Sequence, residues 1–336
     1  MSNSPSPGVP DVSGSTTDEY VGMIEEELEE SVEELKEADY DTDLGLSMAA
    51  DARRVSNGEM TSEAYWEKYD EAARNEFGER YESTPNPAVD HVEQTIDKGT
   101  AESLSCEPCS LNDVAEESVS VASAEEDSED PAQWGMVIDL EKCVGCESCT
   151  TACKAENRTP PGVSYNVVME REHGEFPNVT RTHMPRPCLQ CQNPPCVQVC
   201  PITATYKMDN GITTIDYDRC FGCRYCVVAC PYEARYFDFG ETYDEEFDEE
   251  DKVEIPEYGT PRDTEKTTGQ AMKCNYCHHR LERGEEPACV ETCIGDARYM
   301  GDLSDPDSEV AEMASKKRAF RLKEKQGTDP NMYYLR

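Results

Sequence analysis

The sequence predicts an α+β protein in which two small cysteine-rich modules follow an acidic N-terminal extension that is partly helical and partly disordered. Three observations lead to this prediction. Four short cysteine runs lie between residues 143 and 293, a strand-like stretch before one run is repeated before another, and acidic side chains are concentrated near the N-terminus. We therefore divide the chain into an extension (1–133), a cysteine-rich domain (134–303) and a C-terminal tail (304–336).

Acidic charge dominates the extension. The whole chain has a formal net charge of −41, and residues 1–133 contain 36 acidic but only 7 basic side chains. Because a nucleic-acid-binding surface requires clustered Lys and Arg, this composition excludes DNA and RNA as ligands. Two explanations of the acidity stay open: adaptation of the protein surface to high salt, or a disordered acidic tail.

Two apolar stripes with helical spacing occur in the extension. They predict helices over about 19–38 and about 61–78. Such stripes usually pack on their own protein, and the alternative is a docking element for a partner subunit. The Ser- and Glu-rich residues 112–130 are predicted to form a linker. The stripes consist of Tyr20, Ile24, Leu28, Val32 and Leu35 in the first helix, and of Trp66, Tyr69, Ala73 and Phe77 in the second.

No segment has the pattern of a membrane anchor or an export signal. No apolar run approaches the ~20 residues that a membrane-spanning helix needs. The pair Arg53-Arg54 is typical of twin-arginine signals, but the polar residues 56–59 follow it where an apolar stretch should be. We therefore expect the chain to reach a membrane only through a partner subunit, either in the cytoplasm or exported together with that partner.

An internal repeat indicates a duplicated module. Residues 136–138 read as a short strand that leads into the first cysteine run, and residues 211–215 read as another that leads into the third. Seven residues match at a constant offset of 77 positions. They are Ile138, Asp139, Cys143, Gly145, Cys146, Cys149 and Cys153, which match Ile215, Asp216, Cys220, Gly222, Cys223, Cys226 and Cys230.

Sixteen of the eighteen cysteines fall into four runs that each begin with C-x2-C and end with C-x3-C, with two, four, two and eleven residues between the second and third cysteines. A cubane [4Fe–4S] cluster needs one thiolate for each iron, and a tight C-x2-C-x2-C loop supplies three of them. The last cysteine of a run lies one helical turn further on, faces away and binds the neighbouring cluster, so four motifs predict four [4Fe–4S] clusters. The runs are Cys143, Cys146, Cys149 and Cys153; Cys188, Cys191, Cys196 and Cys200; Cys220, Cys223, Cys226 and Cys230; and Cys274, Cys277, Cys289 and Cys293.

Three other cysteine chemistries fit this pattern less well. Zinc ribbons use C-x2-C pairs but leave the last cysteine of each run unused, and disulfide frameworks belong to small secreted chains with a signal peptide. Residues 274–278 match the C-x-x-C-H haem attachment signature, but haem would leave Cys289 and Cys293 without a role. We expect the remaining C-x2-C pair, Cys106 and Cys109, to be free thiols or a disulfide, with a zinc or redox role as the alternative.

From about Trp134 to the C-terminus, the sequence resembles the four-cluster iron–sulfur subunits of the molybdopterin oxidoreductases, of the polysulfide, tetrathionate and dimethyl sulfoxide reductase type. The resemblance rests on KCVGCESCTTACKAEN, RPCLQCQNPPCVQVCPITATY, DYDRCFGCRYCVVACPYEARYF and the closing stretch GDLSDPDSEV…EKQGTDPNMYYL. It does not extend to residues 1–130. It implies two ferredoxin-like modules, an outer one from residues 134–160 and 270–303 and an inner one from residues 180–240.

The resemblance also implies which cysteines share a cluster, because in this family the outer two motifs pair with each other and so do the inner two. The outer pair of clusters would face a molybdopterin catalytic subunit, and the inner pair a quinone-reactive membrane subunit. The implied ligand sets of the outer module are Cys143, Cys146, Cys149 and Cys293, and Cys274, Cys277, Cys289 and Cys153. Those of the inner module are Cys188, Cys191, Cys196 and Cys230, and Cys220, Cys223, Cys226 and Cys200.

Two positions bear on the cluster types. Nitrate reductase β-subunits, which are related to this family, carry Trp at the position of Cys223 and a three-iron cluster, so Cys223 favours four cubanes and speaks against a nitrate reductase. Ile294 follows Cys293 where the family often has Pro. Because that proline shapes the turn and is no ligand, we expect the fourth motif to form without it.

The resulting hypothesis is an electron-transfer subunit of an anaerobic respiratory oxidoreductase, without bond-making chemistry of its own. It would connect a quinone-reactive membrane subunit with a molybdopterin catalytic subunit. The alternatives are the β-subunit of a formate dehydrogenase or hydrogenase-linked complex and, from another class, a zinc-stabilised interaction protein. Arg219, Arg224 and Arg235 flank the third motif and are expected to raise cluster potentials, unless they form surface ion pairs.

Overall fold

The computed structural model describes most of the chain outside the acidic segments. The described residues are 31–81, 132–240, 255–257, 260–262 and 268–336. Several sequence-predicted features lie outside them, namely Tyr20, Ile24, Leu28, residues 112–130, Cys106 and Cys109. In the described segments, no helix combines the length and the apolar character that crossing a bilayer requires.

Short helices and strands alternate along the cysteine-rich domain, and two longer helices precede it. Residues 31–36 are also helical, and 3-10 turns occur at Gly78–Arg80 and Glu324–Gln326. The helices are α1 (Thr42–Ser56), α2 (Ser62–Phe77), α3 (Ser148–Asn157), α4 (Pro195–Gln198), α5 (Tyr225–Ala229), α6 (His278–Leu281), α7 (Ala288–Glu291) and α8 (Glu309–Ala314). The strands are β1 (Trp134–Asp139), β2 (Asn166–His173), β3 (Thr180–Pro187), β4 (Thr205–Lys207), β5 (Thr213–Ile215), β6 (Tyr236–Phe237), β7 (Ile255–Glu257), β8 (Thr260–Arg262), β9 (Ala271–Met272), β10 (Arg298–Asp302), β11 (Ala319–Phe320) and β12 (Met332–Leu335).

A four-stranded sheet in the order β10-β1-β12-β11 joins the two ends of the cysteine-rich domain. Strand β1 runs antiparallel to β10, with Val137 opposite Tyr299, and parallel to β12, with Val137 opposite Tyr333. Residues 136–138 are fully buried, as expected for apolar residues of a central strand. The sheet places the first cysteine run, which follows β1, beside the end of the fourth run, which precedes β10. The sequence-predicted tail contributes β11 and β12 to this sheet.

The two copies of the predicted repeat start with the same turn. The side chain of Asp139 accepts a hydrogen bond from the amide two residues further on at 3.0 Å, and that of Asp216 does the same at 2.9 Å. The carbonyl oxygens of these two aspartates accept the backbone N–H groups of Cys143 and Cys220, at 3.2 and 3.0 Å. An aspartate that bonds its own downstream backbone favours a tight turn. It therefore fixes where each cysteine loop begins.

The described part of the extension, residues 31–81, forms a helical cap on the inner module. Thr61 caps the N-terminus of α2 by accepting the amide of Ala64 at 3.2 Å. Trp66, Tyr69 and Phe77, the aromatic members of the second stripe, are buried. The stripe therefore packs within this protein and is no free docking face.

Helix α1, which the sequence analysis did not predict, joins the helical cap to α5. Arg53 Nε donates to the carbonyl of Ala229 at 3.2 Å, and its Nη2 donates to the carbonyl of Val228. In the other direction, the Tyr225 hydroxyl donates to the carbonyl of Asp41 at 2.7 Å. Arg53, the first arginine of the Arg-Arg pair, thus caps the C-terminal carbonyls of α5, as cations near a helix C-terminus do. This contact fixes α1 against α5.

An aromatic cluster lies at the same contact. The Phe221 ring is 5.2 Å from the Tyr40 ring and 5.5 Å from the Phe77 ring, measured between centroids. Phe77 also meets Tyr225 edge-on at 5.5 Å. Because Phe221 follows Cys220 directly, the helical cap covers the loop of the third cysteine run.

Substituting Gly45 should detach the helical cap. An added Cβ at Gly45 would lie 2.5 Å from the Tyr225 ring, which is rigid and buried. We expect Gly45→Val to destabilise this contact by about 2 kcal/mol, as overpacking usually does. Limited proteolysis of the full chain should then cleave α1 and α2 faster.

The matched control for this prediction is Ser47→Val, which places the same side chain on the exposed face of α1. We expect its cleavage rate to stay close to that of the unmodified chain, because it changes only the helix propensity. Equal rates for the two variants would contradict the proposed packing of α1 on Tyr225.

Candidate iron–sulfur site

Each cysteine run contains a tight C-x2-C turn. In every run, the residue before the second cysteine has a positive φ, and glycine adopts that conformation without strain. This requirement accounts for glycine at the matching positions of the two repeat copies. The residues and their φ values are Gly145 (68°), Gln190 (45°), Gly222 (78°) and Tyr276 (57°).

Three of the runs also end in a common turn. Thr203, Glu233 and Asp296 each lie three residues after the last cysteine of their run and have φ values of 52°, 49° and 45°. A proline follows the last cysteine in the first two cases, and Ile294 follows it in the third. The chain thus makes this turn without the proline. In the first run, α3 instead continues to Asn157.

Two quartets of thiols line two separate cavities. The space between the lining residues measures about 370 and 340 Å³, and part of it is open to solvent. Each is lined by three cysteines of one run and one cysteine of another. Around the first cavity lies group 1, consisting of Cys143, Cys146, Cys149 and Cys293. Around the second lies group 3, consisting of Cys188, Cys191, Cys196 and Cys230.

The other eight thiols form two further groups, as their mutual effects on pKa indicate. Burial raises the pKa of Cys153, and three thiols of the fourth run raise it further. Burial also raises the pKa of Cys223, and Cys200 and two thiols of the same run raise it further. Group 2 consists of Cys153, Cys274, Cys277 and Cys289. Group 4 consists of Cys200, Cys220, Cys223 and Cys226.

The four groups are arranged as a row. Besides the effect of burial, a thiol of one group raises the pKa of Cys289, Cys274 or Cys196 in the neighbouring group, once for each step from group 1 to group 4. The interaction between two charges falls off with the distance between them, so each pair joins two groups that lie near each other. The pairs are Cys149 with Cys289, Cys188 with Cys274, and Cys226 with Cys196.

Several N–H groups point at the sulfur atoms. Asn166 Nδ2 donates to Cys149 Sγ at 3.1 Å, and Asn157 Nδ2 donates to Cys153 Sγ at 3.4 Å. Backbone amides add further donors, from Tyr276 to Cys274 at 3.4 Å and from Ala297 to Cys293 at 3.3 Å. Sequence inspection missed both asparagines because an isolated Asn carries no spacing signal.

Several basic side chains are buried near the thiols. Arg298, Lys273 and Arg235 are 4%, 1% and 3% exposed, and only Arg235 was singled out from the sequence. Arg224, which was also singled out from the sequence, stacks on aromatic rings, with its guanidinium carbon 4.0 Å from the Phe237 centroid. Arg219 is half-buried beside Cys220 in the chain.

The donor set suits a cluster better than a single metal ion. Among the described residues, no three Cys, His, Asp or Glu side chains converge closely enough to hold one ion. In groups 1 and 3, four thiols instead surround an open space, as a cubane with one iron per thiolate requires. Burial raises the pKa of Cys220, Cys230 and Cys277 to about 12, so thiolates there need a strongly cationic partner, which iron provides.

Sequence models of three iron–sulfur families match the chain. The 4Fe-4S dicluster domain matches residues 179–245 and 242–303, and the 4Fe-4S binding domain matches residues 134–155. The third model describes the N-terminal region of 4Fe-4S ferredoxin iron-sulfur binding and matches residues 22–84. The chain therefore contains ferredoxin-like 4Fe-4S domains of mixed helix and strand content. The third match also takes in the helical cap, which the motif-based resemblance did not cover.

Known proteins of related sequence are similar to this chain over about 60% of its length. The B-subunit of selenate reductase from Mesobacillus selenatarsenatis is 56% identical over 209 residues, which are 60% of this chain and 72% of that protein. The B-subunit of tetrathionate reductase from Salmonella typhimurium is 41% identical over 209 residues, which are 60% and 72% of the two chains. The iron-sulfur cluster-binding subunit of menaquinone reductase from Nitratidesulfovibrio vulgaris is 40% identical over 233 residues, which are 60% of this chain and 88% of that protein.

The two loop glycines of the repeat should differ in their tolerance of alanine. An added Cβ at Gly222 would lie 1.9 Å from the carbonyl oxygen of Gly269, which is backbone, whereas at Gly145 it would meet the His183 side chain. Positive φ costs alanine about 1–2 kcal/mol at either position. Overlap with backbone adds a further penalty of about 1–3 kcal/mol at Gly222.

We therefore expect Gly222→Ala to lower the thermal unfolding temperature more than Gly145→Ala does, because a histidine side chain can rotate away and a backbone carbonyl cannot. Circular dichroism of the anaerobically purified chain measures both variants. An equal loss in the two variants would show that the close approach of Gly269 is unimportant.

Proposed function

This chain belongs to the iron–sulfur subunits of the molybdopterin oxidoreductases, and we propose that it carries electrons through four [4Fe–4S] clusters between a quinone-reactive membrane subunit and a molybdopterin catalytic subunit. The observation that carries this proposal is the row of four thiol groups, each within electrostatic reach of the next. Such a row provides a continuous path between two distant sites. A zinc-stabilised interaction protein would have no use for it.

The four groups are the proposed ligand sets. Each set takes three thiols from one run and one from its partner run, the outer two runs pairing with each other and the inner two likewise. The first cluster would be held by Cys143, Cys146, Cys149 and Cys293, and the second by Cys274, Cys277, Cys289 and Cys153. The third would be held by Cys188, Cys191, Cys196 and Cys230, and the fourth by Cys220, Cys223, Cys226 and Cys200.

The protein's own part in electron transfer is to bind, shield and orient. When bound, each cluster would supply a site that accepts and releases one electron. The amides of Asn157 and Asn166 favour the more negative state because they donate to thiol sulfurs. The helical cap covers part of group 4, through the contact of Tyr40 and Phe77 with Phe221.

The two ends of the row differ in a way that suits two different partners. At group 1, Cys146 is exposed, and the apolar side chains of Val144 and Ile294 are 60% and 71% exposed beside it. Exposed apolar side chains beside a site typically mark a protein interface. We assign this end to the catalytic subunit. The opposite end, at group 4 and its helical cap, is assigned to the quinone-reactive membrane subunit, through which the chain is membrane-associated.

Iron analysis tests the cofactor proposal. Anaerobically purified protein should be brown and contain about sixteen irons and as many acid-labile sulfides per chain. Cys223→Ser should lower the iron content of group 4 alone, because it removes one of its four thiols. Cys106→Ser, in the pair assigned to no cluster, is the control and should leave the iron content unchanged. Colourless protein with bound zinc would refute the proposal.

Co-purification tests the proposed partners. A molybdenum- or tungsten-containing large subunit is expected with the native protein, and a nickel-containing one would favour the hydrogenase-linked alternative. Changing both Val144 and Ile294 to Glu should weaken binding to the large subunit at least tenfold, because truncating or charging a central interface residue costs more than about 1.4 kcal/mol. Phe239→Glu, at a position 53% exposed on the inner module, should leave this binding intact.

A further inference from the structure

We infer that three buried cations, one in each gap between successive thiol groups, raise the reduction potentials of the two clusters on either side through their positive charge. This inference rests on the proposed function, since it presumes that the four groups hold clusters. The cations are Arg298 between groups 1 and 2, Lys273 between groups 2 and 3, and Arg235 between groups 3 and 4.

Arg298 touches both outer groups. Its guanidinium lines the cavity of group 1, and its Nη1 lies 3.5 Å from Cys289 Sγ of group 2. Its Nη2 donates to the side-chain oxygen of Asn166, whose amide in turn donates to Cys149 Sγ at 3.1 Å. The side chain is 4% exposed. The thiols Cys289 and Cys149 support its positive charge against the effect of burial and raise its pKa.

Lys273 occupies the middle gap, at the junction of the two modules. Its ammonium donates to the carbonyl of Cys274 in group 2 at 2.6 Å and to the carbonyl of Thr213, which lines the cavity of group 3. Its positive charge lowers the pKa of Cys196 in group 3 and of Cys274, against the larger effect of burial. Gln190 donates to the same Cys274 carbonyl at 2.8 Å.

Arg235 lies between the two inner groups. It lines the cavity of group 3, and Cys196 of group 3 and Cys226 of group 4 are the two thiols that most support its charge against burial. One nitrogen, Nη1, donates to Thr205 Oγ1 at 3.2 Å. Within the described residues, its Nε and Nη2 are buried and donate to no oxygen or nitrogen atom, and the side chain also interacts with the Cys226 thiol of group 4. An unpaired buried donor is costly, so these two N–H groups point to an anionic group in the space beside them.

The expected effect follows from the sign of the charges. Adding an electron makes a thiolate-bound cluster more negative, and a fixed cation nearby stabilises the reduced form. In the protein interior this attraction is weakly screened, so a buried cation acts more strongly than one at the surface. A cation in a gap faces two groups. Its removal should therefore lower two potentials, and these should be the two neighbours.

Redox titration followed by electron paramagnetic resonance tests this pattern in the anaerobically purified full chain. We expect Arg298→Gln to lower the potentials of the first and second clusters, Lys273→Gln those of the second and third, and Arg235→Gln those of the third and fourth. We expect each potential to fall by at least about 59 mV, which corresponds to a tenfold change in the equilibrium constant of a one-electron reduction. Cys146→Ser and Cys223→Ser, which alter groups 1 and 4, assign the outermost signals.

Two controls separate charge from packing. Arg298→Lys and Arg235→Lys keep the positive charge and should leave the potentials within this tenfold limit. Arg186→Gln removes another buried arginine, which is 2% exposed but donates to the backbone carbonyls of Tyr232 and Glu233, and should move no neighbouring pair of potentials. Iron content is measured for every variant.

The outcomes are distinct. Pairwise downward shifts support the inference, and so does loss of iron in a Gln variant whose Lys counterpart keeps it. Three outcomes overturn the inference: unchanged potentials, equal shifts of all four clusters, or loss of iron in both the Gln and the Lys variants. In each case the position and charge of the cation would not determine the potentials of the two neighbouring clusters. Native protein without iron and sulfide would instead refute the proposed function itself.

Discussion

The negative charge of buried cysteine thiolates is the constraint on which the rest of the structure depends. A cluster must be shielded from water, yet burial raises the pKa of thiols such as Cys220 and Cys230 and so opposes the thiolate form that binds iron. Positive charge must therefore come from inside the protein as well as from iron. The N–H donors at the sulfurs and the three buried cations between the thiol groups meet this need.

The fold is arranged to bring such distant thiols together. Because β1 pairs with both β10 and β12, the first cysteine run lies beside Cys293, which precedes β10. The pairing of β6 with β9, with Tyr236 opposite Met272, places the end of the third run close to the start of the fourth. It also brings the two cations near each other, because Arg235 directly precedes Tyr236 and Lys273 directly follows Met272. The same short strands thus position the proposed ligands and the cations between them.

Sequence predicted the chemistry of this protein better than its packing. The cysteine spacing predicted the [4Fe–4S] chemistry. The repeat pointed to Asp139 and Asp216, whose side chains make the same turn in the structure. Helix α1 was missed because its buried face consists largely of small residues such as Gly45, Ala49 and Ala52, which make a weak apolar stripe. Lys273 and Arg298 were missed for another reason: burial of a single charged residue depends on what the fold places around it, and no local pattern records that.

The helical cap explains why the two ends of the row can have different environments within one chain. At group 1 the protein leaves Cys146 exposed, and if the proposed catalytic partner covers it, the potential of the cluster there is expected to depend on that partner. At group 4 the cover is built in, because Tyr40 and Phe77 pack on Phe221 and α1 is tied to α5 through Arg53. Solvent access is one of the means by which proteins tune cluster potentials. A chain that covers part of one end with its own helices sets much of the environment of group 4 by itself, whereas group 1 depends more on its surroundings.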